Sequence, residues 1–64
     1  MILAWATALI LQNYPQYTKI QAKHLAEQAI DICEVQVGHT HERPFVECII
    51  ETIPGVIDST TRNE

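Results

Sequence analysis

The sequence has few basic residues and no basic cluster. Lysine and arginine together account for four of the 64 residues, against eight aspartate and glutamate residues, and the formal net charge is −4. Binding to the phosphate backbone of a nucleic acid requires a stripe of Lys and Arg side chains. We therefore expect no direct contact with nucleic acid.

The sequence also lacks a hydrophobic run long enough to cross a bilayer. A transmembrane helix needs about 20 consecutive apolar residues. The apolar stretch MILAWATALIL ends after eleven residues, where Gln12, Asn13 and Pro15 follow. It has neither the charged face of an interfacial helix nor the basic start of a secretory signal. We therefore predict no membrane role and a cytoplasmic location.

Cysteine is scarce, since the chain contains only Cys33 and Cys48. Two cysteines do not make the disulfide framework of a small secreted domain. We therefore predict reduced, intracellular thiols that pack in the core, and leave a single bridge between them as an open alternative. His39 and His41 lie between the cysteines, and zinc prefers N and S ligands of this kind. Their spacing matches no standard zinc finger, so a zinc module is a secondary alternative and no metal ligand is assigned.

No catalytic constellation accompanies the titratable residues. His24, Glu27 and Asp31 share one side of a predicted helix, a spacing that could support acid–base chemistry. No nucleophile, oxyanion donor or cofactor motif joins them. We therefore predict that the chain is not an enzyme and uses no cofactor.

The sequence does contain helical periodicity, and its first two helices have clear boundaries. Pro15 disfavours the α conformation in the residue before it, so helix 1 should span about 2–12. Thr18 and Gln21 have the spacing of a capping box. Helix 2 should therefore span about 19–37.

Turn residues mark the later boundaries. Gly38 suits the position after the C-terminus of helix 2. Pro44 suits the first turn of a helix, and Pro54 and Gly55 are residues that end one. Helix 3 should therefore span about 44–53.

Together these segments predict an all-α fold, namely a small domain of three short helices with helix 1 at its centre. The domain should cover residues 1–55, followed by a flexible C-terminal tail over 56–64. An α+β fold is the alternative, because CEVQV alternates with period two and its residues tolerate strands. In that case a C-terminal hairpin would pair about 32–37 with about 45–50.

The apolar first helix points to protein binding. A helix that is apolar on every side must be covered on every side, and a chain of this size buries only about 60 % of its unfolded surface. We therefore expect a second copy or a larger protein to cover part of helix 1. Trp5 and Leu9 are the predicted apolar anchors of that contact, and a homo-oligomer is expected.

Acidic side chains are predicted to orient the partner. Glu27, Asp31 and Glu34 form a stripe on helix 2, while Glu47 and Glu51 form a like-charge pair on helix 3. A basic surface on the partner would relieve their repulsion. The leading prediction is a small acidic module that self-associates or occludes a larger protein, for example as a phage or mobile-element inhibitor of a host or defence protein. A structural subunit of a homo-oligomer with no foreign target is the main alternative.

Overall fold

The residues that the structure describes form three α-helices. The computed structural model describes residues 2–38 and 42–62, with the backbone alone described at 61–62. The helices are α1 (Ile2–Asn13), α2 (Lys19–Val37) and α3 (Arg43–Arg62). No strand occurs within the described ranges. The all-α prediction is therefore confirmed, and the alternative hairpin of 32–37 with 45–50 is not supported because both segments are helical.

The first two helices begin and end close to the predicted residues. The Gln21 backbone N–H donates to the Thr18 hydroxyl at 3.2 Å, and the Thr18 N–H donates to Gln21 Oε1 at 3.0 Å. The predicted capping box is therefore present. Directly after α2, Gly38 has a φ of 82°, which favours glycine. Its N–H donates to the Glu34 carbonyl at 3.1 Å and closes the last turn.

The third helix continues past its predicted end. Pro54 lies inside α3 rather than at its C-terminus, so the predicted span of 44–53 is wrong. Residues 56–62, expected in the flexible tail, are helical. The reason is that Val56 and Ile57 continue the apolar stripe of α3 and are buried. Burying two such side chains contributes about 1.5–3 kcal/mol each, which offsets the roughly 3 kcal/mol cost of a proline inside a helix.

The central helix is α2, because it packs against both α1 and α3. Its inward side carries Ala22, Ala26 and Ala29, which are all fully buried. Small side chains of this kind allow neighbouring helices to approach closely. The prediction that helix 1 is central is therefore wrong. The two longest helices are α2 and α3, which have 19 and 20 residues against the 12 of α1. Their apolar sides pack against each other.

A disulfide between Cys33 and Cys48 joins α2 to α3. The two Cα atoms lie 5.8 Å apart, within the usual range for a disulfide. The Thr52 hydroxyl oxygen lies 3.5 Å from the Cys33 sulfur and 3.7 Å from the Cys48 sulfur. The prediction of two reduced thiols is therefore wrong. Both cysteines lie on the facing sides of adjacent helices, and the packing brings their side chains together.

Candidate functional site

The first helix is covered by the rest of the chain on one side only. Ala6 and Ile10 are fully buried, whereas Ala4, Trp5 and Ala8 are exposed. Because α1 carries no charged residue, its exposed side is apolar apart from the polar residues at its C-terminal end. An apolar helix side in water is typical of a surface that another molecule covers.

A groove of about 460 Å³ runs between α1 and α2. Its apolar wall, which we call the α1 face, consists of Leu3, Ala4, Thr7, Ala8 and Leu11. Lys19 and Lys23 of α2 line the other side. The Thr7 hydroxyl donates to the Leu3 carbonyl at 2.8 Å, so its hydrogen-bonding capacity is used within α1. The groove is therefore apolar along α1 and basic along α2.

Four charged residues of α2 follow one another at intervals of four: Lys19, Lys23, Glu27 and Asp31. We call these four residues the charge row. All four are exposed, and residues spaced by four lie along one ridge of a helix. Glu27 and Asp31 line a second cleft with apolar residues from the N-terminal end of α1, among them Leu3. Both the basic and the acidic half of the row therefore flank α1.

The charge row is largely unneutralised within the described part of the chain. His24 Nδ1 lies 3.7 Å from Glu27 Oε1, and both side chains are exposed, so this contact contributes little. Lys19, Lys23 and Asp31 form no ion pair with any described residue. These three charges are therefore available to charges on another molecule.

The predicted apolar anchors lie on a different side of α1 from the groove. Leu9 lines a separate cleft of about 220 Å³, to which α3 contributes Ile50 and Pro54 among others. Trp5 is one turn before Leu9 and shares its side of α1. The Trp5 side chain is 36 % exposed. Trp5 and Leu9 therefore lie on the same side of α1, away from the charge row.

The predicted acidic residues do not form one site. Glu27 and Asp31 flank α1, as described above, while Glu34 is half-buried closer to the end of α2. Glu47 and Glu51 are exposed on α3, at positions that alternate with its buried stripe. Only two of the five predicted acids therefore adjoin the apolar surface of α1.

The sequence-based prediction also missed residues of this surface. Lys19 and Lys23 were not assigned a binding role, although their spacing relative to Glu27 and Asp31 is regular in the sequence. Leu3 and the other small or apolar members of the α1 face could not be assigned, because the orientation of α1 on α2 decides which side stays exposed. The four-residue period of the charges was the signal that could have revealed the row.

The zinc alternative loses its sulfur ligands, because cysteines in a disulfide cannot supply thiolates. Its other candidate ligands, His39 and His41, lie outside the described residues. In the part of the chain that the structure describes, no group of three or more His, Cys, Asp and Glu residues is placed to hold a metal ion.

No helix within residues 2–38 and 42–62 is both long and apolar enough to span a bilayer. Comparisons with models of protein families, with curated proteins and with solved structures gave no significant match.

Proposed function

We propose that this chain is a small protein–protein interaction module that binds through the exposed side of α1, and that it does not act as an enzyme. The observation that carries this proposal is the partial coverage of a charge-free helix. Ala6 and Ile10 enter the core, while Ala4, Trp5 and Ala8 face solvent. Burial of this apolar side by another polypeptide would contribute about 25 cal/mol for each Å² removed from water.

The residues around the exposed side of α1 suit a protein contact. Leu3 and Leu11 are half-buried at the two ends of the α1 face, and between them lie small residues that would allow a partner to approach the α1 backbone closely. Charged residues border this apolar surface, as polar rims border the apolar centres of protein interfaces. The His24 and Glu27 side chains, by contrast, are both largely exposed to water, which favours binding over catalysis there.

Self-association is the leading form of this function. Occlusion of a larger protein, such as a host or defence protein blocked by a phage or mobile-element inhibitor, is the second form. A structural subunit without a foreign target would use the same α1 surface for self-association alone. A cytoplasmic location stays a prediction, and the Cys33–Cys48 disulfide weighs against it because disulfides are rare in reducing compartments.

The experiment compares the solution mass of the wild-type chain with those of two arginine variants, by light scattering across a wide concentration range. Ala8→Arg places a large charged side chain on the α1 face, and Gln28→Arg places one at an exposed position of α2 that lines none of the grooves beside α1. We expect the wild type and Gln28→Arg to exceed the 7.3 kDa of one chain and Ala8→Arg to remain at that mass. Equal association of all three proteins would contradict binding through α1.

A further inference from the structure

We propose that the α1 face and the charge row together bind a second copy of this chain in an antiparallel dimer with two-fold symmetry. In this dimer Lys19 of each copy faces Asp31 of the other, and Lys23 faces Glu27. The α1 face of one copy packs on the α1 face of the other. This inference names the partner of the surface proposed above and therefore rests on that proposed function.

The order of charges along α2 selects both the partner and its direction. Read from residue 19 to residue 31, the row is positive, positive, negative, negative. When a second row with this order runs in the opposite direction, each positive charge lies opposite a negative one, so two antiparallel copies would form four ion pairs. Two parallel copies would place like charges opposite each other. A uniformly basic partner would attract Glu27 and Asp31 but repel Lys19 and Lys23, so a second copy suits the row better.

The apolar residues and the charges run side by side along α1. Thr7 is midway between Leu3 and Leu11 in the α1 face, and the centre of the charge row falls between Lys23 and Glu27. The two helices run in opposite directions, since Lys19 and Lys23 line the groove that reaches Leu11 while Glu27 lines the cleft at the start of α1. A two-fold axis perpendicular to α1 can therefore relate both sets, with α1 and α2 of one copy each antiparallel to the same helix of the other.

A chain of this size has enough accessible surface to form such an interface. A stable interface buries roughly 800 Å² per partner, which is about a fifth of the 4434 Å² accessible surface of this chain. Ala4 and Ala8 near the centre of the α1 face permit the close approach of two helices. Two-fold symmetry repeats each contact that lies off the axis, so each such apolar or ionic pair occurs twice in the interface.

The experiment reverses one half of the charge row at a time. One variant carries Lys19→Glu with Lys23→Glu, and the other carries Glu27→Lys with Asp31→Lys. Each variant alone would place like charges at all four ionic contacts, and we expect its homodimer to dissociate about tenfold more readily or worse. An equimolar mixture restores four opposite-charge contacts, so we expect the mixture to recover twice the 7.3 kDa mass of one chain.

The fourfold variant, which carries all four substitutions, is the matched control. It changes every residue of the charge row yet keeps the row complementary to its own reverse, so it should dimerise like the wild type. Added salt should weaken the wild-type dimer because the ion pairs are exposed. Helical content measured by circular dichroism confirms that each variant is folded.

The possible results separate this inference from the proposed function. If Ala8→Arg disrupts the dimer but the two half-reversed variants associate like the wild type, the chain binds through α1 and the antiparallel pairing of the charge row is wrong. A fourfold variant that stays monomeric beside a dimeric wild type would also overturn the pairing. If the wild type is a single chain at every concentration, both the dimer and self-association as the proposed function fail.

Discussion

Removal of the Cys33–Cys48 disulfide should destabilise the folded chain by about 3 kcal/mol. The two cysteines are separated by 15 positions, and the loss of chain entropy for a loop of this size corresponds to about 3 kcal/mol. The total stability of natural domains is roughly 0.05–0.15 kcal/mol per residue. For a chain of 64 residues this amounts to about 3–10 kcal/mol, so the disulfide would supply a large part of it.

Thermal unfolding followed by far-UV circular dichroism, with and without a phosphine reductant, measures this effect. In a domain of this size each kcal/mol shifts the Tm by about 4–8 °C, so reduction should lower the Tm by roughly 12–24 °C. A variant with Cys33→Ser and Cys48→Ser is the control, since its Tm should not respond to the reductant and should lie near that of the reduced wild type.

Two results would refute this reasoning. Detection of two free thiols in the air-oxidised, folded protein would show that the cysteines do not pair. A reductant-induced change in Tm of only a few degrees, in a protein whose thiols are shown to be oxidised beforehand, would show that the packing of α2 on α3 does not depend on the cross-link.

Three further substitutions test the packing and the helix boundaries, each measured by urea unfolding. Gly55→Ala should raise the free energy of unfolding by about 0.5–1 kcal/mol, because an added Cβ meets nothing within 4 Å; a loss of stability would mean that Gly55 is not helical. Thr18→Ala should lower it by about 1 kcal/mol, and Thr18→Ser, which retains the capping hydroxyl, should not. Ile49→Ala should lower it by about 2–5 kcal/mol, because Ile49 is fully buried. The same change at Ile50, which is 49 % exposed, should lower the free energy of unfolding far less. Equal losses of stability at the two positions would show that α3 packs in a different register.

The boundaries of α1 and α2 could be predicted because local chemistry fixes them. Pro15 ends the first helix, the Thr18–Gln21 capping box begins the second, and Gly38 follows its last residue. These effects act within a few residues and need no knowledge of the tertiary structure. The boundaries that these effects predict are therefore also found in the folded chain.

The end of α3 could not be read from local chemistry, because two signals conflict there. Pro54 and Gly55 disfavour a helix, while Val56 and Ile57 continue the apolar period of the preceding turns. Which signal prevails depends on whether α2 offers an apolar surface at that level, and the sequence of α3 does not contain this information. The structure buries Val56 and Ile57, so the tertiary contact decides the length of the helix.

The candidate site was predicted only in part for a similar reason. The sequence predicts Glu27 and Asp31 as partner-binding acids from the stripe that they form on helix 2, and both are exposed in the structure. Their proximity to α1, and the role of Lys19 and Lys23 beside them, depend on how α1 lies on α2. Since α1 is apolar on nearly every side, its own sequence does not indicate which side faces inward.

The single cross-link joins only two of the three helices, and this leaves α1 attached to the remainder by the short segment 14–18 and by side-chain packing alone. Detachment of α1 would then require no covalent bond to break. Amide hydrogen exchange should therefore proceed faster in α1 than in the helices on either side of the disulfide. Because α1 also has apolar surface exposed to solvent, a partner that covers this surface would hold in place the helix that the disulfide does not secure.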